Sequence, residues 1–275
     1  MSYAQLRELI EETYGAAPSP RELEWWFEEN PVGPRILSLE EHGADGMSLF
    51  RVSARESELL AGFIVHAVTA PSARGRGVFT RLQRANQALA EEAGAELALG
   101  FTTAAATRVL VGKLGWEELA RPRVWARFRI RRGAGLRGAE IAGFGKLHEQ
   151  VDLSGPAHLL KDAAWLDWRY RDSPRPYRLV EEGEDYAVVG IGRHRGVVAG
   201  AVCELVGGLG MLRRAVAAVD ARLVLALPNR GERALYAAAG FVPTPWRLRF
   251  VGRPLNANAP LPRDWRLSLG DTDFF

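Results

Sequence analysis

The residues best placed to do chemistry in this chain lie between His66 and Phe79. Arg74-Gly-Arg-Gly77 sets two guanidinium groups beside two glycines. Gly75 and Gly77 leave no Cβ to hold a phosphate away from the backbone, while Arg74 and Arg76 bring full positive charge. Ahead of them, Leu59–Val68 is apolar on both faces, with Leu60, Ile64 and Val68 on one and Leu59, Ala61, Phe63, Val65 and Ala67 on the other. That pattern reads as a central strand covered on both sides. Behind them, Val78, Leu82, Ala85, Leu89 and Ala93 recur at steps of three and four, an amphipathic helix stopped by Gly94. Strand, glycine turn and helix together aim free backbone N–H groups and a positive helix end at an anion. The same turn also occurs with nothing bound, so two glycines alone decide little. No Gly-Lys-[Ser/Thr] and no third glycine at the right step are present, which excludes a P-loop and a dinucleotide fingerprint.

Other groups offer weaker chemistry. His66 has a side chain whose ordinary pKa suits a general base near neutrality, though a hydrogen-bonded strand histidine is the plainer reading. By strict alternation His66 and Val68 share a face. Thr102 and Thr103 follow the next strand and could orient an acceptor or simply cap a helix. Asp271 and Asp273 could hold an ammonium group or form a solvated tail. Trp25, Trp26, Trp168 and Trp265 read as core residues or as platforms for a sugar ring. His148, His158 and His194 lack metal-ligand spacing, so no metal is expected. A Gly-x-Ser-x-Gly elbow is absent too.

Composition sets the frame for these groups. The 275 residues carry a formal net charge of +3 and one cysteine, Cys203, in an apolar run. A buried thiol without an internal disulfide and a cytoplasmic location are expected. The arginines are spread along the chain without an aromatic–basic cluster, so nucleic acid is not an expected partner. No apolar run reaches membrane-span length, and a signal-peptide core is absent, so no membrane partner is expected.

The elements that must position the site follow in order. Leu6, Leu9 and Ile10 face inward from a first helix ending near Gly15. Ser19-Pro-Arg-Glu22 is a capping box that starts a second helix carrying Leu23, Trp25, Trp26 and Phe27. Arg35–Leu39, Met47–Val52 and Glu58–Ala70 read as three meandering strands. After the glycine turn and its helix come a strand over Glu96–Phe101, a helix over Thr102–Leu114 closed by Gly115, and a strand over Val124–Ile130. Residues 131–146, with five glycines, read as a linker.

Beyond the linker the chain echoes itself. Trp25, Pro31 and Arg35 fall on Trp168, Pro174 and Arg178 at one constant offset. Leu59–Val65 is echoed by Val197–Cys203, and Leu110…Gly115-Trp116 by Leu235…Gly240-Phe241. Three echoes in one order indicate duplication with insertions and deletions. In the second copy the glycine cluster, Gly207-Gly-Leu-Gly-Met211, has no arginine ahead of it.

Arg74-Gly-Arg-Gly77, between strand and helix, resembles the acyl-CoA pyrophosphate loop [RQ]-x-x-G-x-[GA] of the GNAT acyltransferase superfamily. Phe79 departs from the last position, which affects packing more than the backbone donors. The resemblance implies two GNAT-like α/β (α+β) domains, each a mixed, mostly antiparallel sheet flanked by helices. They would span 1–130, the acyl-CoA-binding half, and 147–275, a degenerate half. It further implies that Val68, Arg74, Gly75, Arg76, Gly77, Val78 and Phe79 bind acetyl-CoA or another acyl-CoA as co-substrate. A backbone N–H in the neighbourhood of Val68 would polarise the thioester, with His66 as the candidate base. The superfamily's usual acid, a tyrosine seven positions after an asparagine, is matched by Asn229 and Tyr236 in the second copy. In the first copy those positions hold Ala104 and Val111.

The activity expected is N-acyl transfer, with N-acetyl transfer as its expected form, to a primary amine. An amino sugar of a surface polysaccharide pathway is the preferred acceptor, a peptide or small-molecule amine the next, and a homodimer is left open. A non-catalytic acyl-CoA-binding or scaffolding protein is the competing class, supported by Val111. A relative of the two-halved peptidoglycan aminoacyl transferases is disfavoured, because those lack a good pyrophosphate loop.

Overall fold

The structure, a computed structural model, describes residues 3–54, 56–129, 135–145, 153–194 and 197–273. In chain order it begins with α1 (Tyr3–Tyr14), α2 (Pro20–Glu28), β1 (Ile36–Glu40), β2 (Gly43–Ala54) and β3 (Ser57–Thr69). Then come α3 (Val78–Glu92), β4 (Leu97–Thr102), α4 (Ala104–Leu114), β5 (Glu117–Ala120) and β6 (Arg123–Phe128). Two short strands, β7 (Gly135–Leu136) and β8 (His158–Leu159), precede α5 (Ala163–Leu166) and a π-helical turn over Asp167–Arg171. The rest is β9 (Tyr177–Glu182), β10 (Asp185–His194), β11 (Val197–Val206), α6 (Leu209–Ala218), β12 (Val219–Asp220) and β13 (Leu223–Ala226). It closes with α7 (Arg233–Ala238), β14 (Val242–Arg247) and β15 (Arg249–Pro254).

Helix starts follow the local chemistry. The Ser19 side chain accepts from the Glu22 amide at 3.1 Å and Pro20 opens α2, as the capping box requires. In α1, Leu6, Leu9 and Ile10 are the buried residues. Thr103 caps α4 by accepting from the Ala106 amide at 3.3 Å, and Gly115 ends that helix at φ +69°.

Two compact units result, and neither is contiguous in sequence. The first comprises Met1–Ala120, Asp152–Leu160 and Arg249–Trp265; the second comprises Arg121–Val151, Lys161–Leu248 and Arg266–Phe275. The first sheet runs β1-β2-β3-β4-β15-β5, with β8 added on β2, and the second runs β9-β10-β11-β13-β6-β14. The orders match strand for strand. In each, the fifth strand comes from the other half of the sequence: β15 lies antiparallel between β4 and β5, and β6 between β13 and β14. Only β3–β4 and β11–β13 pair in parallel among the named strands, so both sheets are mixed and mostly antiparallel.

This exchange corrects the expected boundaries at 130 and 147. The strand expected over Val124–Ile130 exists as β6, but it completes the second sheet. Its apolar alternation specifies a strand and not the edge it joins. The expected linker is also corrected where it is described. Leu136 pairs with Val219, Ala139 bridges Leu179, and Phe144 is fully buried in the second unit. Residues 130–134 and 146–152, with His148, lie outside the described residues.

Each sheet is covered by apolar side chains. In the first unit Met47, Leu49 and Ile64 pack with Ala90 of α3 and with Leu110 and Leu114 of α4. The opposite face carries an aromatic layer in which Phe63 meets Phe50, Phe101 and Phe250 at 5.3–6.3 Å. In the second unit Val202 and Val224 pack with Leu212 and Val216 of α6 and Tyr236 of α7. Among the described residues no helix is long and apolar enough to cross a membrane.

Candidate functional site

The site begins where the first sheet opens. β3 and β4 pair only through Ala61, Gly62 and Phe63 with Leu97, Ala98 and Leu99. β3 then continues to Thr69 and β4 to Thr102 without pairing to each other. A gap between two strands of one sheet leaves backbone donors and acceptors facing a space a ligand can enter.

Along β3 the register against β2 shifts, because Val65 pairs with Gly46 whereas Val68 pairs with Ala44. Two residues, His66 and Ala67, thus oppose the single Asp45. His66 takes the extra place at φ +51°, a left-handed conformation that a non-glycine residue rarely adopts. The bulge corrects the two-face reading of this strand. Val68 pairs with Ala44 on the α2 face, while Ala67 turns to the core beneath α3 and α4. The His66 ring lies 6.0 Å from Trp26 and 5.8 Å from Phe27 of α2. Alternation fails here because one inserted residue moves every later side chain to the other face.

The ladder also decides which amides face the gap. The Ala70 amide donates to the His42 carbonyl at 2.9 Å, and Val68 lies opposite Ala44 two residues back in the same register. In an antiparallel ladder every second residue points its N–H at the partner strand. The Val68 amide is therefore directed at β2, and the Thr69 amide faces the open edge.

β3 ends in the glycine turn. A short helical turn, Pro71–Ala73, leads to Gly75 at φ +82° and Gly77 at φ +78°, and α3 starts at Val78. A Cβ at Gly75 would meet nothing within 4 Å, and one at Gly77 only the Arg81 guanidinium at 3.6 Å. The glycines therefore face open space and are needed for their conformation. Gly77 caps α3 without a side-chain acceptor, which leaves the first-turn amides of Val78, Phe79 and Thr80 directed outward. Arg74 and Arg76 are exposed, and neither forms an ion pair among the described residues.

Behind the turn, Arg81 donates to the Arg76 carbonyl at 3.1 Å and to Glu40 at 3.0 and 2.5 Å. Hydrogen bonding from Arg81 holds the Glu40 carboxyl below its ordinary value. Phe79 packs inward against the core containing Leu110 and Trp116, so its departure from the loop pattern is absorbed by the interior. This arrangement fits a pyrophosphate: a cradle without side chains, outward amides, a helix N-terminus and two uncommitted guanidinium groups.

One buried group at this site gave no sequence signal. Asp45 is fully buried and accepts from Gln83 Nε2 at 2.9 Å and from Asn86 Nδ2 at 2.7 Å, both on α3. Burial pushes its carboxyl up to about 7, against the lowering effect of the Asn86 and Gln83 hydrogen bonds. Asn86 in turn accepts from Ser38 at 2.6 Å. A polar network therefore ties the helix behind the glycine turn to the strand opposite the bulge.

The second unit keeps the opening but fills it. β11 and β13 pair only at Gly200–Val224 and Ala201–Leu225. Past them, Glu204 binds Lys161 at 2.7 and 2.8 Å and accepts from the Tyr170 hydroxyl at 2.6 Å. Lys161 also meets Asp271 at 2.7 Å and Ser268 at 2.9 Å on the C-terminal segment. Burial alone would lower the Lys161 ammonium, yet the Asp271 and Glu204 carboxylates outweigh it and hold it above the ordinary lysine value. Burial raises Glu204, with Lys161 opposing. At the turn after β11, the Asp185 carboxylate packs against Gly207, where an incoming anion would be repelled.

Several candidates are thereby relocated. Asp271 is neither a solvated tail nor an open ammonium site, because it is buried against Lys161. Trp25, Trp26, Trp168 and Trp265 are all buried, so none offers a face to a sugar ring. Tyr236 is buried in the second core, and Val111 is exposed on α4. Thr102 bonds Thr107 at 2.8 Å. Burial pushes the Cys203 thiol up to about 12, which makes it inert.

No family model matches the chain, and no curated protein matches it in sequence. Among solved structures, Eis1 from Mycobacterium abscessus is similar over 94% of this chain and 73% of its own, at 13% identity and a TM-score of 0.58. A GCN5-related N-acetyltransferase from Kribbella flavida is similar over 94% and 69%, at 20% identity and 0.60. A probable N-acyltransferase from Enterococcus faecalis is similar over 92% and 69%, at 10% identity and 0.62. Two sheets of matching order, each opening beside its parallel pair, agree with that likeness. The chain therefore carries the GCN5-related N-acetyltransferase (GNAT) fold twice, in tandem.

Proposed function

We propose that this chain is an acyl-CoA-dependent N-acyltransferase that works through its first unit and acylates a primary amine. One observation carries the reading: the gap between β3 and β4 opens onto the glycine turn of Gly75 and Gly77, where Arg74 and Arg76 stand exposed. In this reading Arg74, Arg76 and the amides of Val78, Phe79 and Thr80 hold the pyrophosphate. When bound, acyl-CoA supplies an acyl group already activated as a thioester.

The chain's own residues then supply polarisation and proton transfer. The Thr69 amide faces the gap and is the donor for the charge that develops on the acyl oxygen. His66, lifted out of the regular ladder by the bulge, accepts the proton of the incoming amine. No side chain is assigned to protonating the leaving thiolate, a good leaving group that solvent can serve. The second unit is a support with a closed cleft.

The acceptor proposed is a primary amine. The tryptophans are buried and give a sugar ring no platform, so the amino sugar enters as one amine among others to be tried. The test is a screen of amines, amino sugars included, with acetyl-CoA and a thiol reporter. Amine-dependent thiol release that Gly77→Val abolishes is the expected result. Val111, exposed where the superfamily places its tyrosine, favours a second reading as a non-catalytic acyl-CoA-binding protein. Tight acyl-CoA binding with no thiol release for any amine would select that reading.

A further inference from the structure

The second unit contains a cavity unrelated to either strand gap. It has a volume of about 420 Å³ and lies at the C-terminal ends of α6 and α7. Arg127 and Arg129, two apart on β6, and Arg213 of α6 line it. Among the described residues no acidic side chain lines it, and the rest of the lining is apolar or glycine, including Ala217 and Ala238.

We propose that this cavity is a binding site for a small phosphate-bearing anion. Two of its arginines have a structural duty that also prepares the site. Arg127 donates to the Ala239 carbonyl at 2.6 Å, and Arg129 donates to the Val216 and Val219 carbonyls. These carbonyls belong to the ends of α7 and α6, whose partial negative charge would otherwise repel an anion. The bonds also hold the guanidinium groups in place, so little freedom is lost when a ligand arrives.

Capping does not account for Arg213. It is exposed and forms no ion pair or hydrogen bond among the described residues. Three like charges around one cavity repel each other unless an anion joins them. A ligand with two or more negative charges matches that field, and guanidinium groups suit phosphate oxygens. The volume exceeds what one phosphate fills, and the alanine wall leaves room for a small apolar or ring portion.

Calorimetry on the full chain with sodium pyrophosphate tests the proposal. A Gly77→Val background removes binding at the glycine turn of the first unit, so the result is independent of the acyl-CoA reading. One pyrophosphate site is expected to remain, weakened about tenfold or more when Arg213→Glu is added. It should also weaken as salt rises from about 50 to about 500 mM. Arg213 is exposed, so an unchanged melting temperature will show that the variant is folded. Further titrations with adenosine 5′-monophosphate and with inorganic phosphate assign the source. Tighter binding of the nucleotide than of inorganic phosphate identifies a phosphate ester, and equal binding the free anion. No site in the Gly77→Val background, or an affinity indifferent to Arg213→Glu, would overturn the proposal.

Discussion

Glu204 stands in the second sheet where His66 stands in the first. Each lies four residues beyond a glycine, Gly62 or Gly200, that pairs with the parallel neighbour just before the strands part. A register shift accompanies both, between Val65 and Val68 in β3 and between Val202 and Glu204 in β11. His66 takes the extra place of its bulge, whereas in β11 the extra place falls on Cys203 and Glu204 pairs with Val188. Glu204 is committed to Lys161 and Tyr170. His66 lies against Trp26 and Phe27 beside the open gap.

Gly77 controls acyl-CoA binding through its backbone. At φ +78° a β-branched residue is strained, and its side chain would enter the open cradle. At about a hundred times its dissociation constant, acyl-CoA should stabilise the wild type by roughly 2.7 kcal/mol, a melting shift of a few degrees. Gly77→Val should lose most of that shift in a thermal-melt titration. A wild type that does not respond to acyl-CoA would remove the cofactor assignment.

The two glycine turns should behave differently. Arg74→Ala should weaken acyl-CoA roughly tenfold, the loss of one charge-assisted contact. Arg213→Ala should leave acyl-CoA affinity unaltered, since the turn after β11 faces Asp185. Calorimetry returning two equivalent acyl-CoA sites would contradict the closed second cleft.

His66→Asn keeps a residue that tolerates the left-handed conformation while removing the titrating ring. Turnover should fall by about two orders of magnitude, with acyl-CoA affinity nearly unchanged. The limb near neutrality in the pH–rate profile should disappear with it. Wild-type turnover in this variant would reduce His66 to a bulge residue.

Asp45 should make stability depend on pH. Its carboxyl is raised to about 7 in the folded state, so the native protein binds a proton that the unfolded chain releases near pH 4. The stabilisation is fully present below the unfolded value and is lost as pH rises through about 7. Urea unfolding at pH 5 and pH 8 should differ by roughly 3 kcal/mol through this group. The difference should shrink by that amount in Asp45→Asn. An equal pH response in both proteins would show that Asp45 does not titrate there.

Lys161→Met should leave Glu204 and Asp271 buried without their shared cation. Removing one partner of a buried pair costs about 3–5 kcal/mol. A drop of that size in unfolding free energy is expected from chemical denaturation. A loss below about 1 kcal/mol would place the cluster in contact with solvent.

Much of this protein follows from local chemistry that the sequence carries alone. Ser19-Pro-Arg-Glu22 starts α2, Gly115 ends α4, and the strand–glycine turn–helix around Gly77 forms as its spacing requires. The echo of Leu59–Val65 in Val197–Cys203 marks two matching strands, β3 and β11, so the duplication was legible too. Caps, periodicity and glycine turns depend on neighbours within a few residues, and a sequence states those directly.

Pairing and burial depend on residues far apart, and there the tertiary structure decided. Nothing within β6 or β15 says that each completes the sheet of the other half, because an alternating strand fits any edge with an apolar face. The bulge at His66 arises from register against β2, which strand periodicity cannot reveal. Asp45 looks like a turn residue among glycines until α3 covers it with Gln83 and Asn86. Asp271 looks like a tail residue until Lys161 meets it. A polar side chain carries the same letters in water and in a core, and only the fold determines which solvent it has.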